Sequence, residues 1–182
     1  NALLAEIAAT GDRVLVLEDT IELQCAARDH VPLRTRAGVV SMTELVRATM
    51  RLRPDRVIVG EVRGGEALDL VKVWGTGHPG GIATIHAGSA LGALLRLEQL
   101  ILEVAVNPPR ALIAEAVNVV IHIAGRGRKR RVESIARVVG FDGTGYRLAD
   151  ALETPFPELM PVPLAADAAA PSSSLDLPGE LP

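Results

Sequence analysis

Acidic, basic and imidazole side chains follow three separate aliphatic runs of the sequence. The first run is followed by Glu18, Asp19 and Glu22, the second by Glu61 and Arg63, and the third by His86, with His78 on the loop before it. Nucleotide hydrolases use an acid after a buried strand to hold magnesium through water, and a second acid can orient or deprotonate the attacking water. A histidine or an arginine can meet the charge that develops on the phosphate. The three clusters together predict a site for phosphoryl transfer.

Short strands are predicted to carry these side chains. The aliphatic runs cover residues 13–17, 56–61 and 82–85, and a further short strand is predicted near residues 30–33. Helical stretches separate the runs, and this alternation predicts a parallel sheet with helices on both faces. Because the carboxyl ends of parallel strands lie on one edge of a sheet, the three clusters are expected to converge there.

Capping and breaking residues mark the predicted helices. Ser41 and Glu44 form a capping box, and Pro54 ends the helix that they begin. Ser89 is predicted to cap a long amphipathic helix. After an opening helix that breaks at Gly11, the predicted helices run from Ser41 to about Arg53, from Gly65 to Gly75, from Ser89 to Val104 and from Pro109 to Val117.

The last third of the chain has a different character. Residues 119–123 and 132–139 are predicted strands of an antiparallel hairpin or meander, joined by a basic turn over residues 125–131. No aromatic residue interleaves with the basic ones for base stacking, so direct nucleic-acid binding is not expected. A solvated turn is the interpretation we favour. Contact with a coupling protein or with the inner-membrane surface stays open.

Composition agrees with an α/β domain that has an aliphatic core. Of the 182 residues 48% are hydrophobic but only 2% are aromatic, which suits buried parallel strands. The net charge of −3 gives no reason to expect general binding to nucleic acid. The single cysteine, Cys25, excludes an internal disulfide and is typical of a reducing cytosol. We predict one domain over residues 1–150 and a disordered tail, rich in Pro, Ala and Ser, over residues 151–182.

Three motifs resemble the signature boxes of the type II/IV secretion ATPase superfamily. VLVLEDTIELQ is similar to its Asp box, RLRPDRVIVGEVRGGEA to its Walker B segment and GTGHPGGIATIHAGSALGALLRLEQL to its His box. They occur in the family's order and spacing, over residues 1–148. RPDRVIVGEVRG, WGTGHPGGIATIHAGSA and PRALIAEAVNVVIHI are most similar to the conjugal-transfer ATPases of the TrbB type. The resemblance implies a RecA-like P-loop NTPase core of α/β class with a C-terminal antiparallel hairpin.

The resemblance also implies catalytic roles. Glu18 and Glu22 correspond to the acids of the Asp box, and one of them is the candidate general base. Glu61 corresponds to the Walker B acid, which holds Mg²⁺ through water. His78 and His86 correspond to the His-box residues that contact or sense the γ-phosphate of ATP.

Further positions are implied as contacts to the nucleotide. Arg63 and Thr84 are assigned to the ATP site of their own subunit. Arg36, Arg47 and Arg51 are candidates for reaching the nucleotide of a neighbouring subunit. For these three arginines the alternative is ordinary solvated surface charge.

One part of the family pattern does not occur in this sequence. The G-x-x-x-x-G-K-[ST] loop supplies the backbone amides and the lysine that cradle the phosphates, and it is absent from the 182 residues. We therefore expect the sequence to be a fragment that lacks the Walker A loop and the N-terminal domain of the family. Alone, it is expected to bind ATP poorly and to hydrolyse it negligibly.

The sequence thus predicts the ATP-hydrolysing motor of a conjugative type IV secretion system, which powers pilus assembly or the transfer of DNA or protein. ATP and Mg²⁺ are the implied cofactors. A homo-oligomeric, hexameric ring is expected, cytoplasmic and peripheral to the inner membrane, with inner-membrane components and a coupling protein as partners.

Two alternatives stay open. A type IV pilus or type II secretion assembly ATPase shares all three boxes, but such relatives commonly carry a cysteine-rich module or an aspartate after the Walker B arginine, where this chain has Gly64. A non-catalytic assembly module is the second alternative. The presence of Glu18, Glu22 and Glu61 argues against it.

Overall fold

The computed structural model describes residues 1–78 and 80–153 of the chain. A four-stranded sheet occupies the first half of this range, and every strand pair in it is parallel. Its strands are β1 (Val14–Glu18), β2 (His30–Arg34), β3 (Arg56–Val59) and β4 (Ile82–Ala83), in the order β2-β1-β3-β4. The predicted parallel sheet is confirmed, and so is the short strand expected near residue 30.

Five α-helices flank and follow this sheet in the described residues. They are α1 (Ala2–Ile7), α2 (Met42–Thr49), α3 (Glu66–Gly75), α4 (Ala90–Ile101) and α5 (Arg110–Ala116). Both predicted caps are present: Ser41 and Glu44 form the capping box of α2, and the Ser89 hydroxyl accepts from the amide of Gly92 at the start of α4. None of the described helices is long and apolar enough to cross a membrane.

An antiparallel meander follows α5. It consists of β5 (Val119–Ala124), β6 (Arg131–Phe141) and β7 (Tyr146–Asp150), paired in that order. A short 3₁₀ turn over Gly127–Lys129 lies in the basic connection between β5 and β6. The α/β fold class with a C-terminal antiparallel unit is therefore confirmed, and the unit has three strands.

Helices cover both faces of the parallel sheet. β1 is buried along its whole length, as expected for an aliphatic strand at the centre of a parallel sheet. Leu15 and Leu17 face the main core, which also holds side chains of α2, α3, α4, α5 and the meander. Val14 and Val16 face the opposite way, against the apolar side chains of α1. This burial holds β1 rigidly and so fixes the position of the residues at its end.

Two predicted helix ends differ from the structure. α2 ends at Thr49 and not near Arg53. The amides of Arg51 and Leu52 donate three residues back, so the chain leaves the helix in tight turns, and Arg53 itself has a positive φ of 51°. α4 ends at Ile101, and Val104 lies beyond it with 61% of its surface exposed. The predicted helix to Val104 is therefore three residues too long. Of the predicted tail, residues 154–182 lie outside the described range.

Candidate functional site

The end of β1 carries a buried carboxylate that closes the loop after it. Glu18 is only 5% exposed. Its Oε1 accepts the backbone amides of Glu22 and Leu23, at 2.9 and 2.8 Å. One carboxylate oxygen of Glu18 is thus committed to shaping this loop, whereas Glu22 itself is exposed on it.

The end of β3 carries Glu61, whose carboxylate lies beside one imidazole and one guanidinium group. The Nε2 atom of His86 lies 3.0 Å from Oε1 of Glu61, and Nε of Arg63 lies 3.6 Å from its Oε2. The Arg63 guanidinium also forms an ion pair with Asp19, the residue after β1. The ends of β1 and β3 are therefore joined by one arginine.

The end of β4 is fastened to the same loop. The hydroxyl of Thr84 donates to the carbonyl of Gly60 at 2.6 Å, and the amide of Val62 donates to the carbonyl of Thr84 at 2.9 Å. These bonds hold the chain after β4 beside the loop that follows β3, and β4 itself covers only Ile82–Ala83, shorter than the predicted 82–85. They also deliver His86 to Glu61, with the imidazole otherwise open to solvent at 95% side-chain exposure.

The first residue of the chain reaches this edge as well. The side-chain oxygen of Asn1 accepts the amide of Gln24 at 2.9 Å, and its side-chain nitrogen donates to the carbonyl of Glu22 at 3.4 Å. The start of α1 therefore lies against the loop that Glu18 closes. The carboxyl edge of the sheet thus brings together the ends of β1, β3 and β4 and the start of α1.

Several predicted site residues lie away from this cluster. His78 belongs to the loop between α3 and β4, which arrives at the amino edge, where the carbonyl of Gly80 accepts from Arg56 at the start of β3. The structure therefore does not bring His78 together with His86. The sequence did not reveal this, because it places both histidines in one motif without showing that β4 separates them.

The three candidate arginines occupy three different places. Arg36 is exposed and lies just past β2 at the carboxyl edge, where the amide of the preceding Thr35 donates to the carbonyl of Glu18. Arg47 lies on α2 and forms a 3.1 Å ion pair with Asp69 of α3. Arg51 lies between the end of α2 and the amino edge. Of the three, Arg36 is the one placed beside the acids.

Comparison with known proteins shows the family of this chain. The profile of the family described as "Type II/IV secretion system protein" matches residues 1–136. The chain belongs to this family. Two relatives of this secretion protein are conjugal transfer protein TrbB of Rhizobium radiobacter, 50% identical over 81% of the chain, and type IV secretion system protein PtlH of Bordetella pertussis, 38% identical over 74% of the chain.

A solved structure gives the same result. The VirB11 ATPase of the Brucella suis type IV secretion system superposes with a TM-score of 0.61 and 27% sequence identity, over 74% of this chain and 45% of its own. The aligned parts make up 46% of TrbB and 44% of PtlH. The secretion-family chain thus spans about half the length of the relatives that it matches.

The ion that this family implies is Mg²⁺, and Glu61 fits it. The Glu61 side chain is 27% exposed at the open edge, so its carboxylate can be reached from solvent. Within the described ranges no group of three or more His, Cys, Asp or Glu residues could hold a metal by itself. Mg²⁺ is usually held by one or two carboxylates together with water and substrate phosphates. A single carboxylate at a strand end suits that kind of site.

Two side chains of this edge were not assigned a role from the sequence. Asp19 pairs with Arg63, and its position directly after a strand was the only available signal. Glu66, the first residue of α3, accepts the backbone amides of Arg63 and Gly64. An acid in the first turn of a helix is a known helix-start signal, but the sequence could not show which loop amides it would meet.

Proposed function

We propose that this chain is the motor part of an ATPase that powers a conjugative type IV secretion system. The observation that carries the proposal is the meeting of Glu18, Glu61, Arg63 and His86 at one edge of a parallel sheet, in a chain of the secretion family. Ligands of open α/β sheets bind outside the carboxyl ends of the strands. ATP would therefore bind at this edge.

The residues divide the chemistry of hydrolysis among them. Glu61 would hold Mg²⁺ through water, and the ion would supply positive charge next to the phosphates. His86, next to Glu61 and open to solvent, is placed to donate to the γ-phosphate. Glu22 is the better placed general base of the two Asp-box acids, because Glu18 already accepts two backbone amides.

The remaining contacts position the nucleotide. Arg63 holds the loops after β1 and β3 together and presents positive charge beside Glu61. Thr84 keeps Gly60 in place through its hydroxyl, which already donates to the Gly60 carbonyl. We therefore assign Thr84 a supporting position beside the ATP.

The proposal extends to assembly and location. The subunits form a homo-oligomeric ring, six in number, and ATP is hydrolysed between neighbours so that each cycle shifts one subunit against the next. The ring lies on the cytoplasmic side of the inner membrane and engages membrane components of the secretion system and a coupling protein. The similarity to TrbB and PtlH supports this part of the proposal.

Glu61→Gln in the complete protein tests the motor function. Turnover is expected to fall by about a hundredfold or more, while ATP still binds, because the amide keeps the shape of the side chain but loses its charge. Phosphate release and equilibrium binding of a fluorescent ATP analogue measure the two quantities. Glu115→Gln, an exposed position on α5, is the matched control and should behave like the unmodified protein.

A transfer assay separates the motor from a non-catalytic assembly module. Donor cells that carry Glu61→Gln are expected to lose plasmid transfer, whereas cells with the Glu115→Gln control keep it. Equal transfer with and without the Glu61 carboxylate would contradict the motor proposal.

A further inference from the structure

The loop after β3 is held by Glu66, the first residue of α3. Oε1 of Glu66 accepts the amide of Arg63 at 2.8 Å and the amide of Gly64 at 2.9 Å. In both bonds a backbone N–H group donates to a carboxylate, which is a strong class of hydrogen bond. The chain from Glu61 to Glu66 is thus closed into a short loop whose two ends are a strand and a helix.

This loop has little space to take another shape. A Cβ atom on Gly64 would lie 3.1 Å from Oε2 of Glu66, and one on Gly65 would lie 2.3 Å from Cγ1 of Val104. The two glycines therefore allow the loop to pass closely between Glu66 and the segment after α4. The same contact accounts for Val104, which covers Gly65 although most of its surface is exposed.

Fixing the backbone of Arg63 matters because its side chain is not buried. The Arg63 side chain is 60% exposed, and an arginine side chain loses rotamer entropy when it is held in one place. Its guanidinium nonetheless meets both Asp19 and Glu61. A fixed starting point for the side chain favours this bridge, and the bridge in turn holds the Glu61 carboxylate toward the open edge.

Glu66 is badly suited to act on ATP directly. The oxygen that accepts two amides has no free lone pair aimed at the edge, and the other oxygen lies beside Gly64. A metal ligand or a general base needs a carboxylate that is free to accept from water. The contacts of Glu66 fit an acceptor of backbone hydrogen bonds.

We propose that Glu66 is a positioning residue for the nucleotide site, which acts through the backbone of Arg63 on the Arg63–Glu61 pair. This inference rests on the proposed function and deepens it. It predicts that an uncharged acceptor can replace the carboxylate, since the side-chain oxygen of glutamine can also accept two N–H groups. Alanine cannot.

Steady-state kinetics of Glu66→Gln and Glu66→Ala in the complete protein provide the first test. We expect kcat of Glu66→Ala to fall by roughly ten- to a hundredfold, because displaced catalytic groups lose rate steeply, with KM for ATP changed less than about threefold. Glu66→Gln should stay within about threefold of the unmodified protein. A Glu66→Gln protein as slow as Glu66→Ala would overturn the proposal, since it would show that the charge itself acts.

Asp69→Ala is the matched control on the same helix. Asp69 lies one turn further along α3 and pairs with Arg47, away from the strand ends. Its removal should leave kcat unchanged. A loss equal to that of Glu66→Ala would mean that any acid removed from the start of α3 impairs the enzyme, which contradicts a specific positioning role.

A double-mutant cycle with Arg63→Ala tests the route of the effect. If Glu66 acts through Arg63, the double variant Glu66→Ala/Arg63→Ala should be no slower than Arg63→Ala alone. Losses that multiply would show that the two residues act independently, and the positioning role would be wrong.

Amide hydrogen exchange separates a failure of this inference from a failure of the proposed function. In Glu66→Ala the amides of Arg63 and Gly64 should exchange at least tenfold faster, while Glu66→Gln protects them, whatever the ATPase rate. Unchanged exchange in Glu66→Ala would overturn the inference even in an active enzyme. If the unmodified protein hydrolyses no ATP and these amides still exchange faster in Glu66→Ala, the contact of Glu66 is supported and only the proposed function is contradicted.

Discussion

Glu18, Glu66 and Asp142 use their carboxylates in the same way, although they lie in different parts of the chain. In each of the three, one carboxylate oxygen accepts hydrogen bonds from at least two groups of residues nearby in the chain. A carboxylate oxygen bound in this way closes a turn of the chain. Residue type alone does not distinguish these acids from catalytic ones; the number of backbone donors does.

The hydrogen bonds that Asp142 accepts have an effect that can be measured through pH. The hydroxyl and amide of Thr144 and the amide of Gly145 hold the pKa of Asp142 well below its usual range, with a smaller contribution from Arg147. A carboxyl whose pKa is lower in the folded state stabilises the fold above its ordinary pKa, near pH 4, and loses that contribution as the pH falls further. The difference in Tm between the unmodified chain and Asp142→Ala should therefore be full at pH 6 and shrink toward pH 2.

Scanning calorimetry at several pH values measures this difference. Glu115→Ala, an exposed acid of α5 without these backbone donors, serves as the comparison. A Tm difference for Asp142→Ala that stays constant from pH 6 to pH 2 would contradict the assignment of the effect to the charged carboxylate.

At the scale of elements, strand order along the chain was easier to predict than the ends of helices. The aliphatic runs and the rule for parallel strand ends placed Glu18 and Glu61 at one edge, because both depend only on local sequence and on the geometry common to such sheets. The end of α2 depended on the turn bonds of Arg51 and Leu52, and the position of Val104 on a tertiary contact with Gly65. The separation of His78 from His86 could not be predicted, because the motif that contains both histidines does not show that β4 lies between them.

The joint between α4 and α5 depends on a buried charge. Glu98 of α4 has a side chain only 9% exposed, and its Oε2 lies 3.0 Å from Nε of Arg110 at the start of α5. Arg110→Ala would leave this carboxylate without its cation. We expect the free energy of unfolding to fall by about 2 kcal/mol, less than for a fully buried pair, because the Arg110 side chain is 49% exposed.

Urea denaturation of the 182-residue chain measures this loss. Adding Glu98→Gln to Arg110→Ala should restore part of the stability, since it removes the unpaired charge while keeping the shape of the side chain. If the double variant is less stable than Arg110→Ala, the cost does not come from an unpaired buried carboxylate.

At the scale of the whole molecule, the site of this chain is open on one side. His86 is almost fully exposed and Glu61 is partly so, while the buried core lies behind them. Within the described residues, one face of the site lies against the core and the other faces solvent, and the proposed ring would bring a neighbouring subunit to the open face. Arg36 is the candidate that lies at this edge, since Arg47 is paired with Asp69 and Arg51 lies toward the opposite edge.

Mixing two inactive variants of the complete protein tests whether Arg36 acts across a subunit interface. Arg36→Ala and Glu61→Gln should each lose turnover alone. In a ring of heterologous interfaces, an Arg36→Ala subunit supplies an intact Glu61 and its Glu61→Gln neighbour supplies an intact Arg36. Equal mixing then restores roughly a quarter of the interfaces. Phosphate release after co-refolding or co-expression measures the recovery.

The same mixture made with Arg47→Ala in place of Arg36→Ala tests whether the recovered turnover is specific to Arg36. Arg47 is held by Asp69 on the surface of α2 and α3, so Arg47→Ala alone should stay active and its mixture with Glu61→Gln should show only the activity of its own intact interfaces. If Arg36→Ala and Glu61→Gln remain inactive together although they assemble into one ring, Arg36 serves the acids of its own subunit. This outcome would contradict the action of Arg36 in trans.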